Sequence, residues 1–427
     1  MDHSWPLSIN ASELQRLINH RTICYPVAMP NVEPTMDTTL TRTDVAKPHG
    51  AVLSMALCVA VLIASEFMPV SLLSPIAADL GVTEGQAGQA ISISGLFAVI
   101  TSLSIARLTA HVDRKLVQSG FTALLILSAL IVTLAPSYPV LMVGRALLGV
   151  AIGGFWSMST AIVMRLLPPA QVPQGLAALN AGNAIAATIS APLGAWLGDM
   201  IGWRGAFAII IPVAVLALIW QRRTMPSLPP RGRTRANPLG LLARRQVALG
   251  MAASFLLFMG QFALFTYLRP YLEGAVGLSV PALSVTFLGL GLAGLAGTWA
   301  ISRALRHWLF ALLAGIPAVM AGLALLMVAL PDQTGVVAVL ILLWGFFGTA
   351  APVGWGTWLA QTMGDEAEAG GGLQVAVIQL AIMAGAAGGG FILDALDWRA
   401  TFSMAAVLLM ASALMALLAA RDARTSR

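Results

Sequence analysis

Apolar stretches of roughly twenty residues alternate with short polar turns from Val52 to the end of the chain. A stretch of that length crosses a ~30 Å hydrocarbon core as a helix. Inside a bilayer the backbone must satisfy its own hydrogen bonds, and a helix does so. Twelve spans are predicted, at approximately 51–76, 88–108, 116–135, 140–164, 174–199, 205–221, 246–269, 282–302, 309–330, 336–360, 372–394 and 400–420. Turns bearing Pro, Gly or charge separate them, such as "APSYP" at 135–139 and "PDQTG" at 331–335. Residues 1–47 are polar, lack an apolar periodicity and lack the basic-then-apolar order of a secretory signal. They read as a disordered cytoplasmic tail, or as an upstream extension of a chain that starts at Met29 or Met36.

Composition sharpens this picture. The chain is 58% apolar and only 10% charged, against roughly 25% charged in soluble domains, and its mean hydropathy is +0.85. A soluble enzyme, a nucleic-acid-binding domain and a disordered protein are thereby excluded. The net charge of +6 reads as topology. The link at 221–245 carries Arg222, Arg223, Arg231, Arg233, Arg235, Arg244 and Arg245 and no acid, and Arg107, Arg114, Lys115, Arg165, Arg303 and Arg306 join it on the same side. The opposite loops hold only Arg204, Arg269 and Arg399, with seven acids: Asp79, Glu84, Asp199, Glu273, Asp332, Asp394 and Asp397. Positive charge stays inside, so both termini and the link are expected in the cytoplasm.

The chain also repeats. At a shift of 195, "EFMPVSLLSP" (66–75) matches "QFALFTYLRP" (261–270), and "GAWLGDMIGWRGAF" (194–207) matches "GGFILDALDWRATF" (389–402). Six spans separate the copies, so they share orientation. The expected fold is an all-α membrane protein of twelve transmembrane helices in two parallel-repeat six-helix bundles, with substrate held between the halves near the midplane. The expected organisation is a tail (1–47), a first bundle (48–221), a basic linker (222–245), a second bundle (246–420) and a short cytoplasmic tail (421–427).

Candidate chemistry is sparse. His3, His20, His49, His111 and His307 all fall in the tail or in loops, and Cys24 and Cys58 make no disulfide framework. No metal, cofactor or catalytic site is expected. Two charges lie deep in spans, Glu66 in the first and Arg145 in the fourth. An acid at a helix centre costs roughly 2.5–3.5 kcal/mol on insertion scales. Glu66 therefore reads as a proton carrier, as a permanently ionised partner of Arg145, or as a satisfied hydrogen-bond acceptor. Arg145 reads as a source of fixed positive field, as a group that exchanges hydrogen bonds between backbone, Glu66 and substrate, or as a clamp on neighbouring carbonyls. The repeat equivalent of Glu66 is Gln261, so the acid belongs to one half only.

These motifs resemble the major facilitator superfamily, specifically its drug:proton antiporter branch with twelve spans. "SEFMPVSLLSPIAADLG" (65–81), with Glu66 nine residues before Pro75, resembles that branch's first span. "GRALLGVAIGG" (144–154) is similar to the motif that supplies a proton-linked Arg, here Arg145. "APLGAWLG" (191–198) resembles the antiporter motif of the fifth span and carries Pro192, Gly194 and Gly198. The gating loop "ARLTAHVDRK" (106–115) departs from its pattern: Ala110 stands where an Asp is usual and Asp113 where the second Gly is usual, while Arg114 and Lys115 remain; Asp113 is the expected substitute for the missing Asp at the gate.

Further segments, "GGFWSMSTAIVMRLLPP" (153–169), "PSLP" (226–229), "APVGWGTW" (351–358) and "LQVAVIQLA" (373–381), resemble the bacterial purine ribonucleoside efflux family. The resemblance implies proton-coupled export of inosine, guanosine and analogues across the inner membrane. The residue types fit such a ligand. Phe155, Trp156, Trp355 and Trp358 offer stacking faces, worth about 1–3 kcal/mol per base. Asn180, Asn183, Gln261, Tyr267, Gln374 and Gln379 offer neutral donors and acceptors. The same residue types also serve as interface anchors and helix glue. Gln374 and Gln379 lie five apart, about 140° around a helix, and are not expected to share one cavity. The expected partners are a small-molecule substrate, protons and the lipid bilayer, with no nucleic acid and a functional monomer. The alternatives are a drug or sugar exporter of the same branch, and a non-transporting membrane receptor or scaffold.

Overall fold

A computed structural model describes residues 48–168, 171–230, 238–363 and 367–425. The tail (1–47) and Arg231, Arg233 and Arg235 of the linker lie outside the described residues.

The described chain is helical and holds no strand. Its helices are α1 (Pro48–Leu80), α2 (Glu84–Leu108), α3 (Arg114–Thr133), α4 (Tyr138–Leu166), α5 (Val172–Ala208), α6 (Ile210–Thr224) and α7 (Arg245–Phe265). A short turn (Leu268–Pro270) and a π-helical turn (Tyr271–Ala275) lead onward. A single helical run, Val280–Ala329, breaks at Trp308 and supplies α8 (Val280–Leu305) and α9 (His307–Ala329). α10 (Thr334–Met363), α11 (Ala367–Ala395) and α12 (Trp398–Thr425) complete the bundle.

Among the described residues eleven helices are long and apolar enough to cross a membrane, one fewer than the twelve spans predicted. The difference lies in Gln174–Thr224, which runs 51 residues as one stretch. At 1.5 Å per residue it would measure about 75 Å, more than twice a hydrocarbon core. Gly202 breaks it with φ of +77°, a conformation that suits glycine. Past the break the chain doubles back. Arg204 pairs with Asp79 at the end of α1 at 2.5 Å, while Thr224 at the end of α6 reaches Ser54 at the start of α1. The stretch is therefore two crossings, and the count returns to twelve.

The turns fall on two faces. One bears the linker and is called the linker face below; the other, with Asp79, Arg204, Glu273 and Asp394, is the distal face. Two apolar cores run through the bundle. One is built mainly from the first six spans around Leu62, Leu72, Leu148, Phe155 and Phe207, the other from the last six around Phe258, Phe287, Met320, Trp344 and Phe402. Large apolar side chains such as Leu216, Val285, Phe391 and Val407 point outward, where lipid is their natural solvent.

The linker is tied at each end. Met225 and Leu228 bury against the first six spans, Arg114 N–H donates to the Leu228 carbonyl at 3.0 Å and Arg165 to that of Pro229 at 2.8 Å. A 3₁₀ turn, Pro238–Ala243, then buries Leu241 in the second core.

Candidate functional site

The site begins with the backbone of α1. Pro69 and Pro75 lie inside this helix. A proline has no N–H, so each leaves the carbonyl four residues earlier without its helical donor. Those carbonyls belong to Ser65 and Ser71. Arg145 Nη1 donates to Ser65 O at 2.6 Å, and Arg269 Nη1 donates to Ser71 O. Two arginines thus fill the two openings that two prolines make.

Glycine spacing on α4 brings Arg145 within reach. Added Cβ atoms at Gly149 and Gly153 would collide with the Ser94 and Ala98 carbonyls of α2. Only glycine permits this approach, and it lets the guanidinium cross α2 to α1. Arg145 is 1% exposed. Besides Ser65 O, it donates to Ala90 O at 2.9 Å, Glu66 O at 3.3 Å and Ser94 Oγ at 3.3 Å. All four acceptors are carbonyls or a hydroxyl, so the guanidinium clamps α4 to α1 and α2.

Glu66 is 3% exposed. Among the described residues its carboxylate forms no ion pair. Its partner is Gln379 of α11, whose Nε2 stands 3.5 Å from Glu66 Oε1. The acid of the first half therefore faces an amide of the second. Close by, Gly194 of α5 abuts Ser71 and Met68, and Gly198 abuts Leu72. The Pro192 segment thus lies against α1 just past Glu66. Phe67 stacks near Phe262 and Phe265 of α7, with ring centroids at 5.7 and 6.2 Å.

The remaining candidates disperse. Phe155 is fully buried in the first core, and Trp156 is half-buried beside it. Trp355 and Trp358 are buried in the second core with ring centroids 5.5 Å apart, and Trp358 fills the space left by Gly250. Tyr267 is buried and donates to Ala386 O at 2.7 Å. Asn180 is exposed and donates to Leu176 O of its own helix, and Asn183 is half-buried. Gln261 is half-buried with its Oε1 unpaired. Gln374, like Gln379, is buried on α11.

At the loop between α2 and α3, Asp113 caps α3 by accepting from the Lys115 amide at 2.7 Å, and it accepts from Ser227 Oγ of the linker at 2.5 Å. Arg114 Nη1 donates to Thr109 Oγ1 at 2.8 Å. The geometry ties this loop to the linker.

Ser65 and Ser71 were not among the expected site residues. Neither was Arg269 expected to act inside the bundle. The signal that finds them is the four-residue step back from each proline.

The family model of the Major Facilitator Superfamily matches residues 55–373. The chain is 49% identical over 394 residues to the transcription regulatory protein OpdE of Pseudomonas aeruginosa, covering 91% of this chain and 98% of that one. It is 41% identical over 373 residues to the purine ribonucleoside efflux pump NepI of Escherichia coli, covering 87% of this chain and 94% of the relative. Among solved structures, a bacterial homologue of the human lysosomal transporter Spinster superposes with a TM-score of 0.69 at 15% identity, covering 87% of this chain and 96% of that one. By the family model over residues 55–373 and the identity with the efflux pump, the chain belongs to the major facilitator superfamily of membrane-spanning transporters.

Proposed function

We propose that this chain exports purine ribonucleosides across the bacterial inner membrane in exchange for protons, with both termini in the cytoplasm. The substrate class rests on 41% identity with the efflux pump NepI over 87% of the chain. The coupling reading is carried by one observation: Glu66 is buried at mid-bundle, its carboxylate faces Gln379 across the halves, and among the described residues no cation is in direct contact with that carboxylate, Arg145 acting on it through its field alone. A carboxyl whose charge no ion pair fixes can take up and release a proton as the halves exchange access. Arg145, occupied with carbonyls, holds α1 and α2 in place around it. Substrate-driven proton flux in proteoliposomes, with a panel of nucleosides, tests the reading. Inosine or guanosine should move protons; flux that ignores every nucleoside but follows drugs or sugars overturns the substrate class. E66Q should lose pH-driven export while retaining exchange at equal pH, and undiminished pH-driven export refutes the coupling.

The name of the Pseudomonas aeruginosa relative favours a second reading, a membrane protein acting on transcription. Absence of counterflow for every ligand class would favour it.

A further inference from the structure

The first six spans leave two backbone groups open near the distal face. One is the Ser71 carbonyl, which Pro75 deprives of its helical donor. The other is the Gly85 amide at the start of α2. There Thr83 and Gln86 form a reciprocal cap: Gln86 N–H donates to Thr83 Oγ1 and Thr83 N–H donates to Gln86 Oε1, each at 3.0 Å. That cap settles two amides and leaves Gly85 N–H outside it.

The last six spans supply a group of the right charge for each. Arg269, 4% exposed, donates Nη1 to Ser71 O while its Nη2 pairs with Glu273 at 2.7 Å. Asp394, at the end of α11, accepts from Gly85 N at 3.1 Å and from Thr83 Oγ1 at 2.6 Å. Glycine keeps the seam narrow. A Cβ at Gly85 would collide with the Asp394 carboxylate, and one at Gly88 or Gly390 with the Tyr267 phenol. The repeat does not reproduce the device. Asp199, equivalent to Asp394, is exposed and makes no hydrogen bond among the described residues, and the position equivalent to Arg269 is Ser74.

We propose that Arg269 and Asp394 form a two-point latch in which the second half completes the open backbone groups of the first, and that this latch sets how often the distal face opens. The proposal deepens the carrier reading above and rests on the two halves moving apart at that face. Both are positioning residues, and neither need touch substrate.

The test measures distance without substrate, so it stands apart from the nucleoside assignment. Spin labels at positions 78 and 396 (A78C, L396C), in a chain carrying C24S and C58S, report separation of the distal ends of α1 and α11. D394A should raise the open-to-closed ratio about fivefold, the size of a lost N-cap. R269A should raise it about tenfold, as for a charged hydrogen bond. If R269A does not fold, P75A/R269A returns an N–H to the Ser71 carbonyl and keeps the latch broken. D199A should leave the distances unchanged. Wild-type distances in folded D394A and P75A/R269A overturn the latch, as does a D199A shift equal to that of D394A.

Discussion

Pro69 opens the carbonyl of Ser65, and Arg145 of α4, 80 residues further along the chain, closes it at 2.6 Å. The pair makes α1 depend on α4 for a hydrogen bond that most helices make for themselves. The dependence yields a double-mutant cycle. R145A leaves a buried carbonyl unpaired, at a cost of about 1–3 kcal/mol. In P69A/R145A the alanine at position 69 supplies the missing N–H, so the loss from R145A should shrink by about 1 kcal/mol. Thermal unfolding of the four proteins in one detergent measures this. Additive losses would mean that Arg145 gives Ser65 nothing that Pro69 took away.

The close approach of α4 to α2 makes a sharper demand on stability. Gly153→Ala drives a methyl into the Ala98 carbonyl oxygen and should destabilise by about 1–3 kcal/mol, as overpacking does. Gly120→Ala in α3 meets nothing and should stabilise by roughly 0.5–1 kcal/mol. A lower unfolding temperature for G153A together with a raised one for G120A is the expected result. The same direction in both would remove steric fit as the cause.

Asp113 lies outside the membrane spans. Partial burial raises its carboxyl, but the Ser227 hydroxyl and the backbones of Leu228, Lys115 and Leu116 outweigh that and hold it below its ordinary value. A depressed carboxyl contributes stability above its unfolded pKa and loses it as pH falls through the folded one. Docking of the linker should therefore be intact at neutral pH and fail in acid below the usual Asp range of about 3.9. Pepsin cleavage near Leu228 should accelerate there in the wild type. In D113N the cleavage rate should be higher near about pH 4.5 and its acid-dependent rise should vanish. An identical acid response in the variant would assign the effect elsewhere.

Selectivity is checked at Gln379. Its amide faces Glu66 and is buried. If it also reads a base edge, Q379L should lower inosine export by about one to two decades, the cost of an unpaired polar group. A hydrophobic drug, if carried, should be affected little. Equal losses for both ligands at normal protein level would make Gln379 a partner of Glu66 and no more.

Spans, repeat and buried charges were legible because each rests on a period or a cost. A twenty-residue apolar run has one use in a bilayer, and a shift of 195 that holds at both ends of a half reports duplication. The α5–α6 boundary was legible for the same reason, although the backbone runs on helically past Gly202. The binding candidates were not legible. Aromatic and amide side chains carry no sign of which way a helix turns them, so Trp355 and Trp358 lie in the core while Asn180 is exposed. Arg269 and Asp394 were read as loop charges, because charge counting assigns a face and says nothing of a partner. The prolines were the missed clue: each fixes, four residues upstream, a carbonyl that something must find.

That clue also bears on how the protein is made. When α1 leaves the ribosome two of its carbonyls have no donor. Arg145 is separated from Ser65 by 80 residues and Arg269 from Ser71 by 198. At about 5–20 residues per second, the first vacancy lasts roughly four to sixteen seconds and the second roughly ten to forty. For that interval the first helix is unfinished and unsuited to bare lipid. Water, the translocation machinery or an insertase must shelter those oxygens until the later helices arrive. The order of synthesis thereby becomes an order of assembly, with α4 completing the middle of α1 before Arg269, in the turn after α7, completes its distal end.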